Sequence, residues 1–296
     1  MTQTLHKTVL LKESIDMLDV KAGGVFVDMT LGGGGHSEEV VNRFTKEVKV
    51  IALDLDQAAI DRSMARLEKG DVTFHCASFR NLDQVLGAQK VNAELFDLGW
   101  SADQFEASGR GFSFQKDEPL VMTFSQTPHA AAFTARDIVN SWEEQNIADI
   151  IYAYGEERYS RRIARNIVEA RATAPIETTG QLVEIISRSV PFFYKKGKIH
   201  FATRTFQAMR IAVNDELGAL KEALWKGFDA LAPGGRMGVI SFHSLEDRIV
   251  KRYFKEKSDQ QLAELLTKKP IVPSDQEQQE NRRSRSAKLR VLRKNS

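Results

Sequence analysis

The sequence has little cysteine and no long apolar run, and each absence excludes a class of protein. Cys76 is the only cysteine in 296 residues, so we expect no disulfide framework and, without a Cys/His cluster of zinc spacing, no metal. No apolar run approaches the ~18 residues of a membrane span. Charged residues (Lys7, Lys12, Glu13, Asp16) stand where a signal peptide needs an apolar stretch. We therefore expect a cytoplasmic protein without membrane contact.

The composition is that of an ordinary globular chain of one or two domains, with 42% hydrophobic and 28% charged residues. Its net charge of +2 conceals a basic tail of +7 and a remainder of −5. The seven tail cations are Arg282, Arg283, Arg285, Lys288, Arg290, Arg293 and Lys294. A second basic stretch comprises Lys195, Lys196, Lys198, His200, Arg204 and Arg210, interleaved with Tyr194, Phe201 and Phe206. Cations beside aromatic faces favour a single-stranded nucleic acid partner; the alternative is a solvated face with a frayed tail.

A glycine turn between a strand and a helix is the most informative local pattern. Val25 to Ser37 read VFVDMTLGGGGHS, in which an apolar run ends at Asp28 and four glycines lead into a helix. Such a turn lets the backbone approach a nucleotide-like ligand closely. Asp54 ends the next predicted strand, where it would accept hydrogen bonds from ribose hydroxyls. A tight turn with no ligand is the structural alternative.

Two nucleotide ligands use this architecture, and the residues favour one of them. A dinucleotide fingerprint needs a third glycine where this chain has Ser37. No lysine or arginine lies between Asp28 and Ser37, so the turn suits a cationic sulfonium better than a phosphate. We therefore predict S-adenosyl-L-methionine as the cofactor.

The order of elements predicts an α/β fold with a doubly wound, mostly parallel sheet. Strands are expected at Val25–Asp28, Val48–Asp54, Val72–Cys76, Ala93–Asp97 and Met237–Phe242. Helical patterns without strands indicate a helical domain at 106–199, inserted in a core of 1–105 and 200–296. Further expectations are a long helix from Thr203 to Leu231, a capping box from Ser244 to Asp247, a helix cap at Asp56, a mobile loop at Ser274–Arg285 and a hairpin of Pro270–Pro273 with Ala287–Leu292.

The fourth strand ends in a second candidate site, Asp97-Leu98-Gly99-Trp100. An acid followed by an aromatic is similar to the loop with which enzymes methylate exocyclic amines, where the acid accepts a hydrogen bond from the amine and the aromatic ring stacks on the base. Asp97 as a helix cap and Trp100 as core are the alternatives. Phe79 is a candidate to flank an adenine ring, and Cys76 is expected to be a buried small hydrophobe. A lone histidine such as His243 is more often structural than catalytic.

Long strings of the sequence, spread from His6 to Val291, resemble the ribosomal RNA small subunit methyltransferase H family (RsmH or MraW). They include DMTLGGGGHS, DLGWSADQF, YGEERYSRRIA, ATRTFQAMRIAVNDEL and SFHSLEDRIVK. The resemblance implies a class I methyltransferase core (Rossmann-like) with an inserted helical domain. It implies cofactor contacts at Gly34, Gly35, His36, Asp54, Phe79, Asp97 and Gln104, of which Gln104 rests on the resemblance alone.

The family implies N4-methylation of a cytidine in the decoding region of small-subunit (16S) ribosomal RNA, with that RNA or the assembled small subunit as partner. The chain departs from the family where Val121 and Thr123 replace an acid and an arginine, and at Trp100 and Ala102. We therefore predict an enzyme, with Asp97 and Trp100 as catalytic residues. The alternatives are a non-catalytic assembly factor that binds the cofactor and ribosomal RNA, and a methyltransferase for protein or small molecules. A homodimer is a further expectation.

Overall fold

The computed structural model describes residues 7–98, 108–124 and 133–296. The chain divides into two compact units, Met1–Ser101 with Leu217–Ser296, and Ala102–Glu216. The sequence prediction placed the inserted domain at 106–199. The helix Thr203–Asn214, which that prediction assigned to the core, belongs to the second unit.

The first unit is built on one seven-stranded sheet of order β3-β2-β1-β4-β5-β7-β6. The strands are β1 (Val25–Asp28), β2 (Lys49–Asp54), β3 (Asp71–Cys76), β4 (Val91–Asp97), β5 (Leu231–Ser241), β6 (Ala263–Leu265) and β7 (Lys288–Lys294). The first five strands pair in parallel, and β7 runs antiparallel between β5 and β6. The predicted doubly wound, mostly parallel sheet is confirmed. The first four strands end at the predicted residues.

Helices cover both faces of the sheet in the first unit, which explains why its strands are continuous runs of apolar residues. They are α1 (Leu11–Leu18), α2 (Gly35–Phe44), α3 (Gln57–Arg66), α4 (Leu82–Leu86), α11 (Glu216–Ala230), α12 (Ser244–Asp259) and α13 (Asp275–Glu280), with Glu216 falling to the second unit. Phe26 and Val27 alternate between two separate buried clusters. Because both sheet faces are covered, neighbouring residues of a strand are both apolar.

The second unit is helical among its described residues. Its helices are α5 (Ala135–Ser141), α6 (Glu144–Gly155), α7 (Ser160–Arg171), α8 (Thr179–Ser189), α9 (Phe192–Lys195) and α10 (Thr203–Asn214). No helix among the described residues of the chain is long and apolar enough to cross a membrane.

The prediction of a single helix from Thr203 to Leu231 is wrong, because the helix is interrupted at Asp215. Asp215 has a φ of 45°, in the left-handed region, and separates α10 from α11. Aspartate tolerates that region better than most residues, since its short polar side chain bonds locally.

The C-terminal segment is more ordered than the sequence indicated. The predicted mobile loop at Ser274–Arg285 is instead α13 and a 3₁₀ turn, with Ser274 capping α13. β7 pairs with β6 in the sheet, whereas the expected partner segment contributes one isolated bridge, Ile271 to Leu289. The tail is therefore part of the core.

Two predicted helix caps have different outcomes. The Asp56 side chain accepts from the Ala58 amide at 3.1 Å, so its capping role is confirmed. The capping box of α12 lies one residue earlier than predicted, between His243 and Glu246.

A buried acid, Glu94, lies within β4. It is 0% exposed, and neither carboxylate oxygen has a hydrogen-bond partner among the described residues. Burial raises the pKa of Glu94 to about 8, despite the opposing influence of Lys294. A Cβ on Gly227 of α11 would lie 2.5 Å from Glu94 Oε2, so that helix needs glycine there. Glu94 is thus mainly protonated near pH 7.

We predict that Glu94→Gln weakens the pH dependence of stability. The folded state keeps the proton up to about pH 8, whereas unfolded glutamate releases it near pH 4.5. The wild-type free energy of unfolding should therefore fall as pH rises through this window, by up to roughly 4 kcal/mol, and level off above it. Thermal melts from pH 5 to about pH 9 would measure this. Parallel curves for wild type and Glu94→Gln would contradict the prediction, and exposed Glu68→Gln is the matched control.

Candidate cofactor and active site

The glycine turn follows β1 and leads directly into α2. Gly34 is the N-cap of α2, with a φ of 76°, and its amide donates to the Leu31 carbonyl at 2.7 Å. A Cβ on Gly34 would lie 2.9 Å from Ser63 Oγ, and one on Gly35 would overlap the Thr8 side chain. Packing and backbone conformation therefore both require glycine here, in addition to any need for a ligand to approach.

Asp54 holds this turn from the end of β2. Its Oδ2 accepts from the Gly32 amide at 2.7 Å and its Oδ1 from the Asp56 amide at 2.8 Å. Burial raises the pKa of Asp54, and its backbone hydrogen bonds oppose that shift. Each carboxylate oxygen has a second lone pair, so the side chain retains capacity for hydroxyl donors.

Asp28 provides a second acid at the same edge of the sheet. It is 1% exposed, and its carboxylate accepts from Ser37 Oγ at 2.7 Å and from the Thr30 amide at 3.2 Å. Burial raises its pKa to about 6, and the Asp54 charge acts in the same direction. Two neighbouring acids favour a cationic ligand over a phosphate. Arg66 donates to the Gly33 carbonyl but is paired with Glu38.

Asp97 ends β4 beside the same turn. Its amide donates to Thr30 Oγ1 at 2.7 Å, and its Oδ2 lies 3.8 Å from Nδ1 of His36. His36 is 4% exposed, and its other ring nitrogen lies 3.2 Å from the Val9 carbonyl oxygen. Asp97 is more open, with 16% of its side chain exposed. The structure thus brings His36 and Asp97 together, and their contact with the cofactor stays a prediction.

Thr30 and Ser37 are two residues of this site that the sequence analysis did not identify. Thr30 bridges the ends of β1 and β4, and Ser37 bonds Asp28. Their hydroxyls flank the glycines in DMTLGGGGHS. Their position beside the glycines is the sequence signal that could have identified them.

The sequence predictions for the third strand have mixed outcomes. Phe79 lies in a 3₁₀ turn, half-buried, with its ring 6.0 Å from that of Phe96 in an edge arrangement. Cys76 is exposed, so the prediction of a buried small hydrophobe is wrong. It is the last residue of β3, which is an edge strand of the sheet that the described residues form. Trp100 and Gln104 lie outside the described residues.

His243 has a structural function in the described fold. Its Nδ1 accepts from the Glu246 amide at 3.5 Å, and Glu246 Oε2 accepts from the Phe242 amide at 2.8 Å. The Nε2 atom lies 3.1 Å from Glu246 Oε1 but outside hydrogen-bond geometry. This agrees with the expectation that a lone histidine is more often structural.

The segment that departs from the family pattern is firmly held within the second unit. The Arg110 guanidinium donates to the Thr123 carbonyl at 2.7 Å, and the Asn214 side chain donates to the Met122 carbonyl at 2.8 Å. Thr123 is 5% exposed. The family's missing arginine would therefore stand at a buried position in this chain.

The basic tail is largely paired within the first unit. Arg290 and Lys288 contact Asp247 at 2.7 and 3.1 Å, and although burial raises the pKa of Asp247, these two cations hold it below its usual value. Lys294 donates to the carbonyls of Phe228 and Asp229 in the last turn of α11 and to that of Leu231, which begins β5, and Arg293 pairs with Glu264. Arg282 and Arg285 remain exposed. Only part of the +7 charge is therefore available to an external polyanion.

The second basic stretch is also only partly available. Phe206 is 4% exposed, Arg210 forms two bonds of 2.8 and 2.9 Å with Glu216, and Arg204 donates to the Glu156 carbonyl. Tyr194 is half-buried. Of the predicted residues, Lys196, Lys198 and His200 are exposed.

Fold and site together define a class I methyltransferase: a parallel sheet with antiparallel β7, a glycine turn after β1 and acids ending β1, β2 and β4. The model of the MraW methylase family matches residues 3–295. The chain belongs to this family, is a methyltransferase, and takes S-adenosyl-L-methionine as its cofactor. The resemblance found in the sequence and the predicted cofactor are confirmed.

Two relatives, 45% and 44% identical, agree with the family assignment. A protein of Paenibacillus sp. (strain JDR-2) named ribosomal RNA small subunit methyltransferase H is 45% identical, over 98% of this chain and 99% of that protein. A protein of Brevibacillus brevis with the same name is 44% identical, over 98% of each. A solved structure described as a putative rRNA-methylase from Clostridium thermocellum has a TM-score of 0.48 and 14% identity, covering 98% of this chain and 100% of that chain.

We predict that Gly34→Ala destabilises the protein more than Gly87→Ala. Both glycines have positive φ, 76° and 56°, but only Gly34 would also place its Cβ against Ser63. The control should lose about 1 kcal/mol from backbone strain, and Gly34→Ala roughly 1–3 kcal/mol more. Denaturant unfolding measures both, and Ser63→Gly should recover part of the additional loss. Equal losses at the two glycines would contradict the packing argument.

Proposed function

We propose that this methyltransferase transfers a methyl group to the N4 amine of a cytidine in the decoding region of small-subunit ribosomal RNA. The observation that carries the proposal is the position of Asp97, which ends β4 beside the glycine turn with part of its carboxylate exposed. The 45% identical relative named ribosomal RNA small subunit methyltransferase H supports the RNA class. We also propose that the reaction takes place in the cytoplasm, on the RNA or the assembled subunit. A homodimer of the enzyme stays a prediction.

The residues at the sheet edge fit the cofactor by the chemistry of their donor and acceptor groups. Asp54 would accept from the ribose hydroxyls, Gly34 and Gly35 would allow the backbone to approach, and Phe79 would flank the adenine. His36, Asp97 and Gln104 are the other residues of the predicted set. The acids Asp28 and Asp54 favour the positive charge of the cofactor. When bound, S-adenosyl-L-methionine supplies a methyl group activated by its sulfonium, so the protein mainly has to position the acceptor.

Asp97 would orient the acceptor. Its carboxylate would accept a hydrogen bond from the exocyclic amine, which would align the nitrogen lone pair, and would stabilise the positive charge that develops on this nitrogen as it takes the methyl group. The amine proton then leaves to solvent. The target base must first be unstacked from its neighbours, and Trp100 is the residue proposed to stack on it.

The test of this proposal is a methylation assay with the full chain. Labelled S-adenosyl-L-methionine is incubated with undermethylated small subunits, and the modified nucleotide is mapped by mass spectrometry. We expect N4-methylcytidine at one position in the decoding region. Cofactor and RNA binding without transfer would instead indicate the non-catalytic assembly factor, and label in protein or small molecules would indicate the other methyltransferase class.

We predict that Asp97→Asn slows methyl transfer without unfolding the protein. An amide keeps the shape but loses the charge that strengthens the hydrogen bond, a loss of about 1.5–3 kcal/mol or roughly 10- to 150-fold in rate. Single-turnover rates at saturating cofactor separate this effect from weaker cofactor binding. Asp83→Asn, at an acid on α4, is the control. A wild-type rate for Asp97→Asn at saturation would exclude Asp97 from orienting the amine.

A further inference from the structure

Two adjacent phenylalanines in the second unit are exposed to solvent. Phe192 and Phe193, in the short helix α9, are 71% and 65% exposed. The sequence analysis did not include them among its aromatic candidates. Exposed apolar groups of this size next to one another are typical of a surface with a binding partner.

The outward position of these rings follows from how Tyr194 is anchored. Its hydroxyl donates to Glu157 Oε2 at 2.5 Å, and Glu157 is completely buried. Oε1 of Glu157 accepts from the Tyr159 amide at 2.9 Å, and the Arg158 guanidinium lies 4.8 Å from the Tyr159 ring centroid and 5.2 Å from that of Tyr194. With Tyr194 tied inward, the rings of Phe192 and Phe193 remain outside.

The same segment carries cations without acidic neighbours in sequence. No aspartate or glutamate occurs from 185 to 214, a stretch with six lysines and arginines. Among the described residues, Lys195, Lys196 and Lys198 form no ion pair, although the Lys196 ammonium lies 4.6 Å from the Phe192 ring centroid. Other cations of the unit are paired, such as Arg136 with Glu177, Arg188 with Glu184 and Arg210 with Glu216.

We propose that Phe192, Phe193, Lys195, Lys196 and Lys198, here called the aromatic platform, bind unpaired nucleotides of the RNA substrate. Bases stack on the two phenyl rings while the lysines contact the adjoining phosphates. Every base has an aromatic face, so this contact grips single strands with little sequence preference. The inference rests on the proposed function, since it takes the RNA substrate from there.

Charge decides between RNA and a second copy of this chain as the occupant. A symmetric dimer would bring the same surface together from both copies, placing three lysines against three lysines. An RNA strand instead brings one negative charge for each nucleotide. The platform therefore complements a polyanion with exposed bases and opposes self-association.

The sharpest test separates bases from phosphates. Binding of single-stranded oligouridylate of roughly 12 nucleotides is compared with binding of an abasic strand of equal length. Wild type should prefer oligouridylate, and Phe192→Ala/Phe193→Ala should lose about 5- to 150-fold for each stacked base while binding the abasic strand as before. Trp225→Ala, which removes an aromatic that is 62% exposed in the first unit, is the matched control.

The lysines are tested through salt dependence. Replacing Lys195, Lys196 and Lys198 by glutamine should lower the slope of log affinity against log salt by about 0.7 for each phosphate that the protein no longer neutralises. The same change at exposed Lys251, Lys268 and Lys269 of the first unit is the control. Melting temperatures would verify that all variants fold, as expected for exposed Lys196 and Lys198 and half-buried Lys195.

Three results would overturn the platform. In one, the phenylalanine variant loses as much affinity for the abasic strand as for oligouridylate. In another, its affinity for both strands equals that of wild type. The third is a dimer in sedimentation that dissociates on the same substitution, which would assign the surface to a second copy. Wild-type methylation of small subunits is measured in parallel: if it succeeds while the platform variants bind and react normally, the platform fails and the proposed function stands. If wild type transfers no methyl group to RNA, the proposed function fails.

Discussion

The rest of the site depends on the hydrogen bonds that the Asp54 carboxylate accepts. Its Oδ2 accepts a hydrogen bond from the Gly32 amide, in the turn after β1, at 2.7 Å. Its Oδ1 accepts one from the Asp56 amide, just after the end of β2, at 2.8 Å. The bond to Gly32 joins the end of β2 to the glycine turn after β1, and the bond to Asp56 fixes the chain that follows β2. The turn continues directly into α2, where His36 Nδ1 lies 3.8 Å from Oδ2 of Asp97.

Acids from three strands meet at one edge of the sheet because these strands are parallel. Asp28, Asp54 and Asp97 end β1, β2 and β4, and parallel strands present their carboxyl ends at the same edge. Burial raises the pKa values of Asp28 and Asp54, an energetic cost that a cationic ligand would reduce. A phosphate would increase the cost. The preference for a sulfonium cofactor thus follows from the folded site and not from the glycines alone.

Much of the fold could be predicted from the sequence, because the parallel strands are buried on both faces and read as apolar runs that end in acids. β1, β2 and β4 end at their predicted residues, all of them acids, for that reason. The break at Asp215 was missed because the helical pattern continues on both sides of it. The order of the C-terminal segment was missed because its polar residues bond within the fold, as Ser274 does in capping α13.

The site was predictable where backbone geometry demands a particular residue, and less so where only packing decides. Glycine at Gly34 and an acid at Asp54 have direct geometric reasons. Exposure has no such signature: Cys76 is exposed, Phe206 is buried, and Phe192 and Phe193 face solvent because a buried glutamate holds the next residue. Pairing of the tail cations with Asp247 and Glu264 likewise depends on long-range contacts across the sheet.

If the turn held by Asp54 binds the cofactor, the calorimetric affinity for S-adenosyl-L-methionine depends on the Asp54 carboxylate. Asp54→Asn should bind roughly 10- to 150-fold more weakly, because a charge-assisted hydrogen bond worth about 1.5–3 kcal/mol is lost. Asp61→Asn, at an exposed acid on α3, should bind as wild type does. Wild-type affinity in a folded Asp54→Asn variant would contradict the account.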